Sequence, residues 1–175
     1  MQKVKLPHNI DPTKSAMKRS DYVGVIATKD MVRLLDAVNR CDEYADVQVK
    51  FEKDAQGLVI FHGSISVEVT LSCQRCNGEL AHSLDLSFCY SPVQGLEQAD
   101  EIPEAYEPIE VNDYGEVDLF QLLEDELILG LPLVPLHAEE QCAVKADDLT
   151  FGQIVEEPAR ENPFAVLKEL KRDQE

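Results

Sequence analysis

Four residues of this 175-residue chain are of the types that bind a soft metal, and they come in two pairs. The first is the C-x-x-C run Cys73-Gln74-Arg75-Cys76, and the second is His137 with Cys142, with four residues between them. Two thiolates at C-x-x-C spacing can grip one ion. An imidazole and a thiolate at the second spacing suit the other half of a tetrahedral zinc site. The expectation is therefore one structural zinc held by Cys73, Cys76, His137 and Cys142. His82, which follows the knuckle closely, competes for the fourth place. The C-x-x-C pair alone also fits a thiol-dependent redox or regulatory protein, or a plain turn. Thioredoxin-type pairs open a helix within a βαβ unit. Here the pair ends a strand-forming run, and Asn77-Gly78 turns the chain into another, which favours a knuckle. Cys41 and Cys89 lie in apolar patterns and read as buried thiols behaving as small hydrophobes.

The segments that must position these residues are mainly strands. Val47 to Phe51 alternates apolar and polar residues, and Lys53-Asp54-Ala55-Gln56-Gly57 reads as a hairpin turn with Gly57 at a positive φ. Leu58 to Phe61 and Ile65 to Leu71 form one long β run in which Gly63 suggests a bulge. Leu80 to Tyr90 returns as its partner. A short edge strand is expected at Lys3 to Leu6, ahead of Pro7. Asp11-Pro12 opens a short helix through Arg19. Thr28 can cap the next helix, with Met31, Leu34, Leu35 and Val38 at helical spacing. Residues 94–117 read as a long acidic loop leading to a strand at Ile109-Glu110-Val111. Asp118 and Gln121 form a capping box for a helix to Gly130, which Pro132 stops. Asn162-Pro163 opens a last amphipathic helix with Phe164, Leu167 and Leu170 on one face. These elements predict an α+β fold: an antiparallel sheet with flanking short helices and a zinc-knuckle turn. The expected division is a single domain over 1–155, then a linker and the C-terminal helix over 156–175.

Charge narrows the partners. The net charge is −18, and its distribution is uneven. Residues 1–53 carry ten Lys/Arg against eight Asp/Glu, whereas residues 76–144 carry sixteen Asp/Glu and no Lys or Arg. Such an excess repels phosphate backbones and favours basic partners. Either the acidic middle is a solvated surface or, through residues such as Glu104, Glu107 and Glu110, it docks a basic protein. Lys14, Lys18 and Arg19 form a small basic cluster, the first place to look for contact with RNA, though only Tyr22 lies near it for base stacking. Phe164 and Leu167 are the partner-binding candidates in the C-terminal helix. No apolar run reaches membrane-spanning length, and the start of the chain lacks a signal peptide, so a cytoplasmic protein with reduced thiols is expected.

Catalytic patterns are missing. The glycines are scattered in turns rather than gathered in a phosphate loop, and there is neither a nucleophile elbow nor H-E-x-x-H. Glu124-Asp125-Glu126 is the one carboxylate run of interest. Consecutive helical residues point in different directions, so a solvated helix face is expected there rather than an acid–base pair. No catalytic residue and no small-molecule substrate are expected.

Several pieces taken in order resemble the YceD family of bacterial cytoplasmic proteins. They are Met1-Gln2-Lys3-Val4-Lys5-Leu6-Pro7, Leu71-Ser72-Cys73-Gln74-Arg75-Cys76, and the stretch from Pro103 to Asn112. Asp118-Leu119, Glu124-Asp125-Glu126, the stretch from Leu131 to His137 and that from Asn162 to Leu167 complete the set. The resemblance spans the chain. It implies a non-catalytic ribosome-biogenesis factor that supports synthesis, processing or stability of large-subunit (23S) ribosomal RNA. It also implies a ribosomal protein, a pre-large-subunit particle or the RNA itself as partner. Other branches carry more cysteines near the positions of His137 and Cys142, and the family supplies no catalytic residues to carry over.

Overall fold

A computed structural model describes residues 6–145, 148 and 152. The chain divides into two compact units, 1–143 and 144–175. The first is described below. The second lies almost wholly outside the described residues, as do the expected C-terminal helix with Phe164 and Leu167 and the strand expected from Lys3.

The first unit is built on β4 (Tyr44–Lys53), β5 (Val59–Ser72) and β6 (Glu79–Val93), three consecutive antiparallel strands. Their alternation is of period two. In β4, Ala45, Val47, Val49 and Phe51 are buried, while Asp46, Gln48, Lys50 and Glu52 face outward. One covered face and one wet face is the usual condition of an antiparallel sheet. Rings ladder across the three strands. Phe51 is paired with Phe61 and Phe61 with Tyr90, and the successive ring centroids lie 5.3 and 5.7 Å apart. Stacked cross-strand aromatics of this kind fix the register as well as adding stability. Gly57, at φ 88°, closes the β4–β5 hairpin as its sequence predicts.

Further strands extend the sheet on both sides. β2 (Asp21–Ala27) pairs antiparallel with β4, and β3 (Arg40–Cys41) pairs with the far end of β5. On the other side β7 (Glu107–Glu110) pairs with β6 in parallel, so the edge departs from the all-antiparallel sheet expected. The parallel pairing needs a crossover, supplied by the segment 94–106 with its short helix α3 (Leu96–Ala99). The stretch expected to be a loop thus contains a helical turn, and the strand expected at Ile109-Glu110-Val111 is found at Glu107–Glu110. β1 (Asn9–Ile10) and β8 (Val117–Asp118) form a separate two-stranded pair.

Gly63 is not a bulge. It pairs regularly with Val49 on one side and Phe88 on the other, inside an unbroken β5. A Cβ there would stand 2.0 Å from the Gln48 carbonyl oxygen and 2.9 Å from the Phe88 ring. Close approach of a neighbouring strand, not backbone curvature, demands the glycine.

The covered face of the sheet carries α2 (Val32–Ala37) and α4 (Leu119–Leu129), the latter preceded by the N-cap Asp118, whose Oδ1 accepts the Gln121 N–H at 2.9 Å. Leu119, Leu122, Leu123 and Leu127 of α4 are buried together with Met31 and Leu34. Gly130, at φ −75°, ends α4 against the Leu86 side chain. α1 (Pro12–Lys18) is capped by Asp11 and ends with Arg19 in the left-handed region.

The expectation for Glu124-Asp125-Glu126 is corrected. Glu124 is buried, 6% exposed. Its Oε1 accepts the backbone N–H groups of Arg33 at 2.9 Å and Leu34 at 3.2 Å, and its Oε2 accepts the Arg33 guanidinium at 2.7 and 3.0 Å. Asp125 takes the remaining arm of Arg33, and Glu126 accepts the Tyr90 hydroxyl. The first turn of α2 is therefore capped by a carboxylate from another helix. Thr28, expected as that cap, instead is the buried first residue of a 3-10 turn (Thr28–Asp30) and donates to the Asp42 carbonyl. Every bond Glu124 makes is lost when its carboxylate is removed, so Glu124→Ala should lower unfolding stability by about 2–3 kcal/mol, the scale of a lost cap with charge-assisted hydrogen bonds. Urea unfolding checks this. A loss below about 0.5 kcal/mol would mean that water serves α2 equally well.

Candidate metal centre

β5 ends at Ser72 and hands the chain to Cys73. The turn that follows is closed by backbone: Asn77 N–H to the Cys73 carbonyl at 2.8 Å, and Cys73 N–H to the Gly78 carbonyl at 2.9 Å. Asn77 takes a left-handed φ of 56°, which asparagine tolerates better than most residues. β6 starts at Glu79. The two cysteines thus sit on the tip of a long hairpin, as the sequence predicts.

The segment after α4 comes back to this tip. Gln74 N–H donates to the Pro135 carbonyl at 2.9 Å, and the Gln74 side-chain amide reaches the Leu133 carbonyl at 3.4 Å. His137 N–H points at the Cys73 sulfur at 3.4 Å. Those bonds bring His137 over the knuckle, where Cys142 joins it. One donor atom from each of Cys73, Cys76, His137 and Cys142 lies within 4.8 Å of every other. In a tetrahedral site with Zn–S near 2.3 Å, neighbouring sulfurs lie about 3.8 Å apart, so only a small contraction separates this arrangement from a closed site. The cluster can hold a metal ion.

Its chemistry is arranged for that role. The His137 Nε2 lies 2.9 Å from the Glu79 carbonyl oxygen. A carbonyl only accepts, so Nε2 carries a hydrogen, and in the neutral ring Nδ1 is the bare nitrogen. That Nδ1 lies 3.4 Å from the Cys76 sulfur, facing the cluster. A backbone acceptor behind a ligating imidazole is the usual device for fixing its tautomer and orientation. The Glu79 carbonyl, followed by the Cys76 sulfur, raises the His137 pKa. Burial pushes the Cys73 thiol up, but the N–H groups of His137, Cys76 and Arg75 outweigh it and bring it down to about 5. The Gly78 N–H leads the lowering at Cys76, against burial. Gly78 lies directly beside the cluster: a Cβ there would be in ordinary contact with the Cys76 sulfur at 3.4 Å and the His137 ring at 3.6 Å. The Asn77-Gly78 turn is legible in sequence, but the Glu79 carbonyl is not, because it acts through backbone.

The other thiols and His82 stand apart. Cys41 and Cys89 are half-buried on β3 and β6, and burial raises the pKa of each. His82 lies within β6 opposite Val69 and is not among the clustered donors.

The charged candidates fall on separate surfaces. Glu104, Glu107 and Glu110 are exposed, the last two on the edge strand β7. Beside them, Glu110, Asp113, Glu116 and Asp118 line one shallow groove with Asn9 and Asn112. Lys14, Lys18 and Arg19 are exposed on and after α1, and Lys14 is paired with Asp11 at 2.9 Å. Arg19 shares a cleft with Lys50 and Lys53 of β4, two cations that sequence spacing could not bring to α1.

Among the described residues no helix is long and apolar enough to cross a membrane. No solved protein structure matches the chain. The sequence model of the family described as "Large ribosomal RNA subunit accumulation protein YceD" matches residues 61–171. A relative of that name from Haemophilus influenzae is 49% identical over 173 residues, covering 98% of this chain and 99% of its own length. The matched region contains the knuckle, His137 and Cys142, and this chain belongs to the YceD family.

Proposed function

We propose that the protein is a non-catalytic factor supporting the accumulation of large-subunit ribosomal RNA, that it carries one structural zinc at Cys73, Cys76, His137 and Cys142, and that it works through contact with a basic ribosomal protein or a pre-large-subunit particle. The observation that carries the functional reading is the 49% identity, over almost the full length of both chains, to a protein named for that accumulation. The assignment to a binding factor rather than an enzyme rests on the residues described above. The buried carboxylate Glu124 is fully used in capping α2, and the perturbed thiols converge on one another rather than on a substrate cleft.

Zinc suits the donor set. Three soft thiolates and one imidazole are its usual structural ligands. With a divalent ion the centre carries one net negative charge. Arg75, between the two cysteines, has its Nη1 buried without a hydrogen-bond partner among the described residues. A cationic side chain carried between the two cysteines has the charge that complements such a centre. Thiol and imidazole ligands must shed their protons to bind the ion, so metal binding releases protons and adds folding energy. Protein purified without chelator should carry about one zinc per chain by elemental analysis. Cys73→Ser should lose the metal and melt at lower temperature. A fully folded wild-type protein free of metal would remove zinc from the proposal.

The acidic middle supplies the proposed dock. Charge-dependent association weakens with salt and acts chiefly on the association rate. The triple variant Glu104→Gln, Glu107→Gln, Glu110→Gln should slow association with purified large-subunit precursor particles several-fold while dissociation changes little. Reversing Lys14, Lys18 and Arg19 to glutamate should have the smaller effect. The opposite ranking would favour direct RNA contact through the cleft that Arg19 shares with Lys50 and Lys53. Crosslinking from growing cells, with RNA and protein both identified, tests the reading as a whole. Recovery of neither large-subunit RNA nor a ribosomal protein would reject it.

A further inference from the structure

Large apolar side chains are concentrated on the outer surface of the segment that closes the knuckle. Leu129 is 80% exposed, Leu133 96%, Val134 58% and Leu136 41%, all within one eight-residue stretch. Scattered exposed leucines need no explanation, but a run of them does. This run is not a loose loop. Leu131-Pro132-Leu133-Val134-Pro135-Leu136 contains two prolines, each with a fixed φ. Its backbone is tied down by the bonds from Gln74 to the Leu133 and Pro135 carbonyls and by the contact from His137 N–H to Cys73. The carbonyls turn inward to the knuckle while the Leu133 and Val134 side chains stand in water. An apolar surface whose backbone is already ordered loses little freedom on binding, which is what a docking site requires.

We infer that Leu129, Leu133, Val134 and Leu136 form a docking surface for a basic protein segment that presents aliphatic anchors flanked by Lys or Arg. The inference rests on the reading of the protein as a partner-binding factor and adds the surface and the chemistry of the partner. Charge selects the occupant. The run lies inside residues 76–144, which hold sixteen Asp/Glu and no Lys or Arg, and Glu139 and Glu140 stand exposed immediately after it. A second copy of a chain carrying −18 would bring like charges together on both sides of the contact. A nucleic-acid backbone or an anionic membrane would meet the same repulsion. A cationic amphipathic segment satisfies both the apolar centre and the acidic surroundings, in the groove-docking manner of helices with spaced apolar anchors.

The test uses the full-length, metal-containing protein and two synthetic eighteen-residue peptides of about equal charge, one of lysine and leucine in amphipathic order and one of lysine and serine. Fluorescence anisotropy should show the Lys/Leu peptide bound at least about tenfold more tightly than the Lys/Ser peptide. The charge-neutral double variant Leu133→Ser, Val134→Ser should remove most of that ratio while leaving zinc content and melting temperature unchanged, as expected of exposed positions. An equal ratio in the variant would overturn the proposal. So would a wild-type dimer that the variant dissociates in sedimentation, which would assign the face to a second copy. Faster hydrogen exchange at residues 162–170 in the variant would assign it to the chain's own C-terminal segment and overturn it equally. Peptide discrimination without association with ribosomal particles would leave this surface standing and reject the ribosomal reading. Particle association without discrimination would do the reverse.

Discussion

Strand β5 is where the first unit is joined: it pairs with β4 and β3 along one edge and with β6 along the other, for twelve consecutive residue pairs in the case of β6. A hairpin that long needs its open turn held, and the turn between β5 and β6 is the C-x-x-C knuckle. Backbone bonds close the turn, and four soft donors then collect above it. The His137 ring is fixed by the Glu79 carbonyl, the first residue of β6, so the strand that leaves the knuckle also orients the ligand that comes back to it. Position in the sheet, tautomer and thiol acidity are thereby set by one small group of backbone contacts. An ion held there would link three separate stretches of chain: the hairpin tip, the segment at His137 and the segment at Cys142.

The helical side of the unit depends on a second long-range tie. Arg33 and Glu124 lie 91 residues apart in sequence, and their contact docks α2 against α4. α2 is six residues long, too short to persist alone. It holds its place because a carboxylate from α4 accepts the N–H groups its own N-cap, Met31, leaves unserved. This explains why a charged side chain is tolerated at 6% exposure. Buried carboxylates are costly unless both oxygens are engaged, and here both are.

Periodicity and spacing made the centre of this fold legible. β4, β5 and β6, the Gly57 turn, the Asp118 cap and the Cys/His spacing all follow from local rules that the structure obeys. What was not legible was what packs on what. Glu124 reads as surface because helical direction says nothing of an arginine 91 positions away. Gly63 reads as a bulge because the approach of Gln48 and Phe88 belongs to neighbouring strands. β2 lacks a clean alternation, since Val25 and Ile26 are both buried while Val23 is exposed and Gly24 interrupts the run. The parallel placement of β7 is a matter of topology. At the metal centre the ligand types were evident, whereas the carbonyl that aims His137 was invisible, being backbone. The proposed link to ribosomal RNA rests on family membership and not on any residue's chemistry.

The donor set at the hairpin tip is the claim on which most else depends, and X-ray absorption at the zinc edge of the purified full-length protein tests it most directly. Three sulfur scatterers at about 2.3 Å and one nitrogen at about 2.0–2.1 Å are expected, with the imidazole signature lost in His137→Ala. A shell of two sulfurs completed by oxygen, or no zinc in protein that is otherwise folded, would contradict the convergence of Cys73, Cys76, His137 and Cys142 on one ion.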